Sequence, residues 1–118
     1  MRQLQLITRR HGGYAVVRLT GELDIATVDD LRQHVRTARE KYGERIILDL
    51  TDLEFMDSQG LSAIIEVHKS VTAAAGRLAL VSPRPIVRRT LEITGLTRRL
   101  DIVDTVEEAA ALPAKAAT

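Results

Sequence analysis

The stretch Ile46-Ile47-Leu48-Asp49-Leu50-Thr51-Asp52-Leu53-Glu54-Phe55-Met56-Asp57-Ser58-Gln59-Gly60-Leu61-Ser62-Ala63-Ile64-Ile65-Glu66-Val67-His68-Lys69 decides the fold. Three consecutive aliphatics closed by Asp-Leu suit a strand covered on both faces. Residues 51–56 read as a short loop with apolar pegs. Leu61, Ile64, Ile65 and His68 then recur at helical spacing. Between strand and helix stands Ser58, at the place of a helix N-cap.

Upstream, Leu4-Gln5-Leu6-Ile7-Thr8 and Tyr14-Ala15-Val16-Val17-Arg18-Leu19 read as two short strands joined across His11-Gly12-Gly13, a hairpin that ends at Gly21. Glu22-Leu23-Asp24 opens a loop. Thr27 is placed as an N-cap, and Val28, Leu31, Val35, Ala38 and Tyr42 step by three and four along one helix face that stops at Gly43. Downstream of the central stretch, the helix that starts at Ser58 runs to about Ala75 and closes at Gly76. Leu78-Ala79-Leu80-Val81 is a strand. Ser82 caps a helix with Pro83 in its first turn, carrying Ile86, Val87, Leu91 and Ile93 and ending at Gly95. Residues 100–103 form a last strand, and Thr105 with Glu108 makes a capping box for a final helix with Val106, Ala109, Ala110 and Leu112. The order β-β-α-β-α-β-α-β-α requires parallel crossovers, with the hairpin adding an antiparallel strand. The expectation is one α/β domain over residues 1–112. It has a mixed, mostly parallel sheet of four to five strands and four helices, with residues 113–118 as a frayed tail.

Composition excludes several functions. The 118 residues are 45% hydrophobic and 28% charged, with a net charge of +1, so nothing draws the chain as a whole to nucleic acid or to an anionic membrane. Phe55, Tyr14 and Tyr42 are the only aromatics, too few for a base-stacking platform. Without cysteine there is no disulfide, thiolate zinc site or cysteine nucleophile. No apolar run approaches the roughly 20 residues of a membrane span, and Met1-Arg2-Gln3-Leu4 opens no signal sequence. A cytoplasmic protein without membrane attachment is expected.

Neither GxxxxGK[ST] nor GxGxxG occurs, so no phosphate-cradling loop and no cofactor is expected. His11, His34 and His68 are scattered and fit no HExxH metal pattern. Asp57-Ser58-Gln59-Gly60 lacks the leading glycine of a GxSxG nucleophile elbow. Ser58 and His68 are ten residues apart on one helix, about 15 Å along its axis, which opposes a hydrolytic pair. Arg88-Arg89 and Arg98-Arg99 read as solvated faces. Two readings of Ser58 remain open on the residues alone: an ordinary N-cap, or a phosphorylation switch. A phosphate at a helix start would meet the positive end of the dipole and add nearly two negative charges beside Asp57. Gly60 keeps the first turn free of bulk.

Together Gly21-Glu22-Leu23-Asp24, Ile47-Leu48-Asp49-Leu50, Phe55-Met56-Asp57-Ser58-Gln59-Gly60-Leu61, the Gly76 helix end and Leu91-Glu92-Ile93-Thr94-Gly95-Leu96 resemble the STAS domain family, and within it bacterial anti-sigma-factor antagonists. The resemblance implies a non-enzymatic partner switch. The unphosphorylated form binds an anti-sigma factor and so frees a sigma factor. The anti-sigma factor is also a GHKL-type serine kinase that phosphorylates Ser58, and a metal-dependent serine phosphatase reverses the step. The implied partner-binding residues are Asp24, Asp57, Ser58, Gln59, Gly60 and Ser62, in a monomer or weak dimer. Gln59 and Ser62 depart from the serine and glycine that many relatives carry there, and Gln59 leaves Ser58 as the one acceptor of the motif. The alternative is a constitutive STAS subunit of a larger signalling or lipid-transport complex, in which Ser58 is only a cap.

Overall fold

The computed structural model describes residues 3–93, 95 and 98–112. Strands β1 (Leu4–His11) and β2 (Tyr14–Leu23) form the hairpin, turning at Gly12-Gly13 with His11 opposite Tyr14. There follow α1 (Val28–Tyr42), β3 (Arg45–Met56), α2 (Ser58–Ala73), β4 (Arg77–Val81), α3 (Pro85–Ile93), β5 (Asp101–Val103) and α4 (Val106–Ala110). The sheet order is β1-β2-β3-β4-β5, antiparallel between β1 and β2 and parallel thereafter. The expected mixed sheet and four helices are therefore present. The tail at 113–118, with the helix stop at Pro113, lies outside the described residues, as do Thr94 and Leu96 of the segment after α3.

Register sorts the side chains by face. Val17 lies opposite Leu48, and Leu48 opposite Leu80. With Leu19, Ile46, Leu50 and Leu78 they form the larger core layer, covered by Leu31 and Val35 of α1, Ile64 and Val71 of α2, and Val87 and Leu91 of α3. The alternate residues Tyr14, Val16, Ile47, Ala79 and Val81 pack on the other face against Val106 and Ala109 of α4. Coverage of both faces is why Ile46-Ile47-Leu48 carries no polar alternation.

Several boundaries differ from the sequence expectation. Residues 51–56 are not a loop. β3 continues to Met56, and β2 continues past Gly21 to Leu23, so that the two strands pair beyond the rest of the sheet, Glu22 with Phe55 and Leu23 with Met56. From Arg18/Asp49 to Thr20/Asp52, and again from Gly21/Leu53 to Glu22/Phe55, β3 advances one residue more than β2. These two bulges shift the side-chain phase and hide the period of two. Ser82 is not a helix cap: its φ is 49°, its N–H donates to Val103 O (2.8 Å), and α3 starts three residues later. Ala75 (φ 59°), not Gly76, takes the left-handed position after α2. Gly76 is required for another reason, because a Cβ there would lie 2.1 Å from Glu44 O.

Candidate functional site

The two extended strands carry the site. Leu23 and Met56 are paired, so the residues that follow them, Asp24 and Asp57, leave the sheet side by side, and Asp57 N donates to Leu23 O (3.1 Å). Asp57, in extended conformation, is the N-cap of α2. Its Oδ1 accepts from Gln59 N (2.9 Å) and Gly60 N (3.0 Å). The cap expected at Ser58 thus falls one residue earlier. Ser58 is the first helical residue, exposed, and among the described residues its hydroxyl has no hydrogen-bond partner. The amides of Gln59 and Gly60 are thereby occupied by Asp57 Oδ1.

Of the other implied contact residues, Gln59 and Ser62 are exposed and Asp57 is half-buried. Ser62 follows Ser58 by four positions, on the same side of α2. Asp24 and Gly60 are buried and offer no outer surface. Asp24 Oδ1 accepts from Ala26 N (2.9 Å), closing the loop between β2 and α1. Gly60 packs so closely on the ends of β2 and β3 that a Cβ would lie 2.8 Å from Leu23 O, Leu23 Cγ and Met56 Cγ. Such overpacking typically destabilises by about 1–3 kcal/mol. Thr27, expected as the side-chain cap of α1, occupies the N-cap position without capping; its hydroxyl donates instead to Glu22 O (2.8 Å).

The histidines lie apart from the turn at Asp57-Ser58. His34 on α1 bonds to Thr8 Oγ1 through Nε2, and burial lowers its pKa from the usual 6.5. His68 lies in the second half of α2 and lines an apolar cavity of about 360 Å³ with Ile65, Thr72, Ala73 and Leu100; Ser58 does not line it. Among the described residues no group of three or more His, Asp or Glu is placed to hold a metal ion, and no helix is long and apolar enough to cross a membrane. Arg89, Arg98 and Arg99 are exposed and Arg88 half-buried, with no ion pair among the described residues.

The loop between β2 and α1 adds a feature that the motif alone does not show. Ile25, exposed between Asp24 and Ala26, donates its N–H to Asp57 Oδ2 (3.3 Å), so Asp57 ties the loop to the helix start. The sequence signal for a fixed loop is Asp24-x-x-Thr27, two side chains able to bond the backbone of their own turn.

A family model for the STAS domain matches residues 5–109, and the chain belongs to that family. It is 37% identical over 102 residues to the anti-sigma F factor antagonist of Paenibacillus polymyxa, a match covering 86% of this chain and 87% of that protein. Among solved structures, the anti-sigma factor antagonist SpoIIAA in its unphosphorylated form superimposes with a TM-score of 0.74 and 33% identity, covering 91% of this chain and 92% of that one. The Bacillus cell fate determinant SpoIIAA in its phosphorylated form gives 0.69 and 32%, covering 91% and 96%.

Proposed function

We propose that this protein is an anti-sigma-factor antagonist that works by partner switching and catalyses no reaction. Its unphosphorylated form binds an anti-sigma factor through the turn at Asp57-Ser58-Gln59 and the exposed Ser62, and a sigma factor is released. The anti-sigma factor's GHKL-type kinase activity phosphorylates Ser58 and ends the association, and a metal-dependent serine phosphatase restores the binding form. The observation that carries the proposal is the exposed, uncommitted hydroxyl of Ser58 at the head of α2. Since Asp57 performs the capping, the serine is not needed as a cap, and this weighs against a purely structural role. The relationship to the Paenibacillus antagonist and to both forms of SpoIIAA supports the same reading.

The chemistry follows from charge. A phosphate adds about 1.5 to 2 negative charges beside the Asp57 carboxylate, whose amide partners are already taken. A surface complementary to a neutral hydroxyl then meets a desolvated dianion, which is costly to bury without a matching cation. The test is intact-mass measurement after incubation with ATP and each GHKL-type anti-sigma factor of the source organism. Wild type gains one phosphate and Ser58→Ala gains none. Phosphate on Ser58→Ala, or none on wild type with any of these kinases, would refute the assignment.

A further inference from the structure

Every backbone N–H from Asp24 to Val28 is hydrogen-bonded, although the first four belong to no regular element. Asp24 N donates to Thr27 Oγ1 (3.0 Å), Ile25 N to Asp57 Oδ2 (3.3 Å) and Ala26 N to Asp24 Oδ1 (2.9 Å). Thr27 N and Val28 N both donate to Asp24 O (3.1 and 2.9 Å). Asp24 and Thr27 are the two buried polar side chains among the described residues. Burying such groups is unfavourable unless they are bonded, and the bonds of both described here go to fixing this one loop and its junction with β2. What the loop holds outward is Ile25, which is 72% exposed. A lone exposed isoleucine means little by itself. One set on a rigid loop, a single hydrogen bond from the residue preceding Ser58, is pre-organised for contact, because little conformational freedom remains to be lost on docking.

We propose that Ile25 is the apolar anchor by which this face selects its protein partner, and that Asp57 is the positioning residue that holds it in place. The inference rests on the antagonist reading above and deepens it. The partner surface it fits, on the anti-sigma factor, is an apolar pocket for a branched aliphatic side chain, flanked by polar groups that meet Ser58 and Gln59. Asp57 acts through both carboxylate oxygens, Oδ1 on the amides of Gln59 and Gly60 and Oδ2 on the amide of Ile25. Asparagine has only one acceptor oxygen. With that oxygen kept on the helix, its NH2 group would face the Ile25 N–H donor to donor. Asp57→Asn therefore preserves the cap, at which asparagine and aspartate are equivalent, and releases the loop.

The test compares the affinities of wild type, Ile25→Ala, Ile25→Val, Asp57→Asn and the double variant for each purified GHKL-type anti-sigma factor of the source organism, all in the unphosphorylated form. Ile25→Ala weakens binding at least about tenfold, as loss of a central apolar anchor does, without lowering the unfolding midpoint, and Ile25→Val recovers most of it. Asp57→Asn weakens binding less, and in its background Ile25→Ala has a smaller effect than in wild type, the non-additivity of coupled residues. If Ile25→Ala binds as wild type does, the anchor is refuted and the antagonist reading stands. Additive effects refute the positioning role of Asp57. A wild type that binds none of these factors refutes both the inference and the reading beneath it.

Discussion

At the scale of single residues, the neighbours Asp57 and Ser58 are bonded quite differently. The carboxylate of Asp57 caps the helix and ties down the loop at Ile25, and the hydroxyl of Ser58 faces solvent unbonded. The two substitutions should therefore separate. Asp57→Ala costs about 1 kcal/mol, the usual value of a lost N-cap, whereas Ser58→Ala stays within about 0.5 kcal/mol, as exposed substitutions do. Urea unfolding of the two variants checks this, and a larger loss for Ser58→Ala would return the cap to the serine. Sequence could not choose between them, because aspartate and serine are near-equal caps. The choice is made by the pairing of Leu23 with Met56, which holds Asp57 extended at the end of β3.

At the scale of elements, the segments with clean periodicity were legible and the phase-shifted ones were not. Val28, Leu31, Val35 and Ala38 mark α1, and all four are buried. Residues 51–56 concealed the end of β3, because its two bulges leave Leu50, Leu53 and Met56 buried at successive intervals of three, which hides the strand period of two. The site suffered from the same gap. Ser58, Gln59 and Ser62 could be named from the motif, but the loop-to-helix link through Asp57 depends on strands that the sequence did not reveal. The β1–α1 contact offers a separate check. Burial holds the imidazole of His34 below its usual pKa of 6.5, so the native state favours the neutral ring. As pH falls below about 6.5 the unfolded chain takes up that proton first, and stability decreases towards the folded pKa. His34→Gln should remove this part of the slope between about pH 7 and 5, measured as unfolding free energy against pH. A slope unchanged from wild type would show that His34 contributes none of it.

At the scale of the molecule, the sheet is closed on one face by three helices and on the other by α4, and the paired ends of β2 and β3 project the turn at Asp57-Ser58 beyond it. The surface proposed for partner recognition thus lies where the backbone is held by strand pairing, helix capping and a fully bonded loop. A chemical change at Ser58 can alter what this surface presents while the two core layers stay as they are. Phosphorylation of Ser58 should accordingly change affinity far more than stability. The measurement that tests this most directly is the affinity of the unphosphorylated protein, and of protein singly phosphorylated at Ser58, for each GHKL-type anti-sigma factor of the source organism. Tight binding by the first and at least tenfold weaker binding by the second, about 1.4 kcal/mol or more, is the expected result. Equal affinity of the two forms would contradict it.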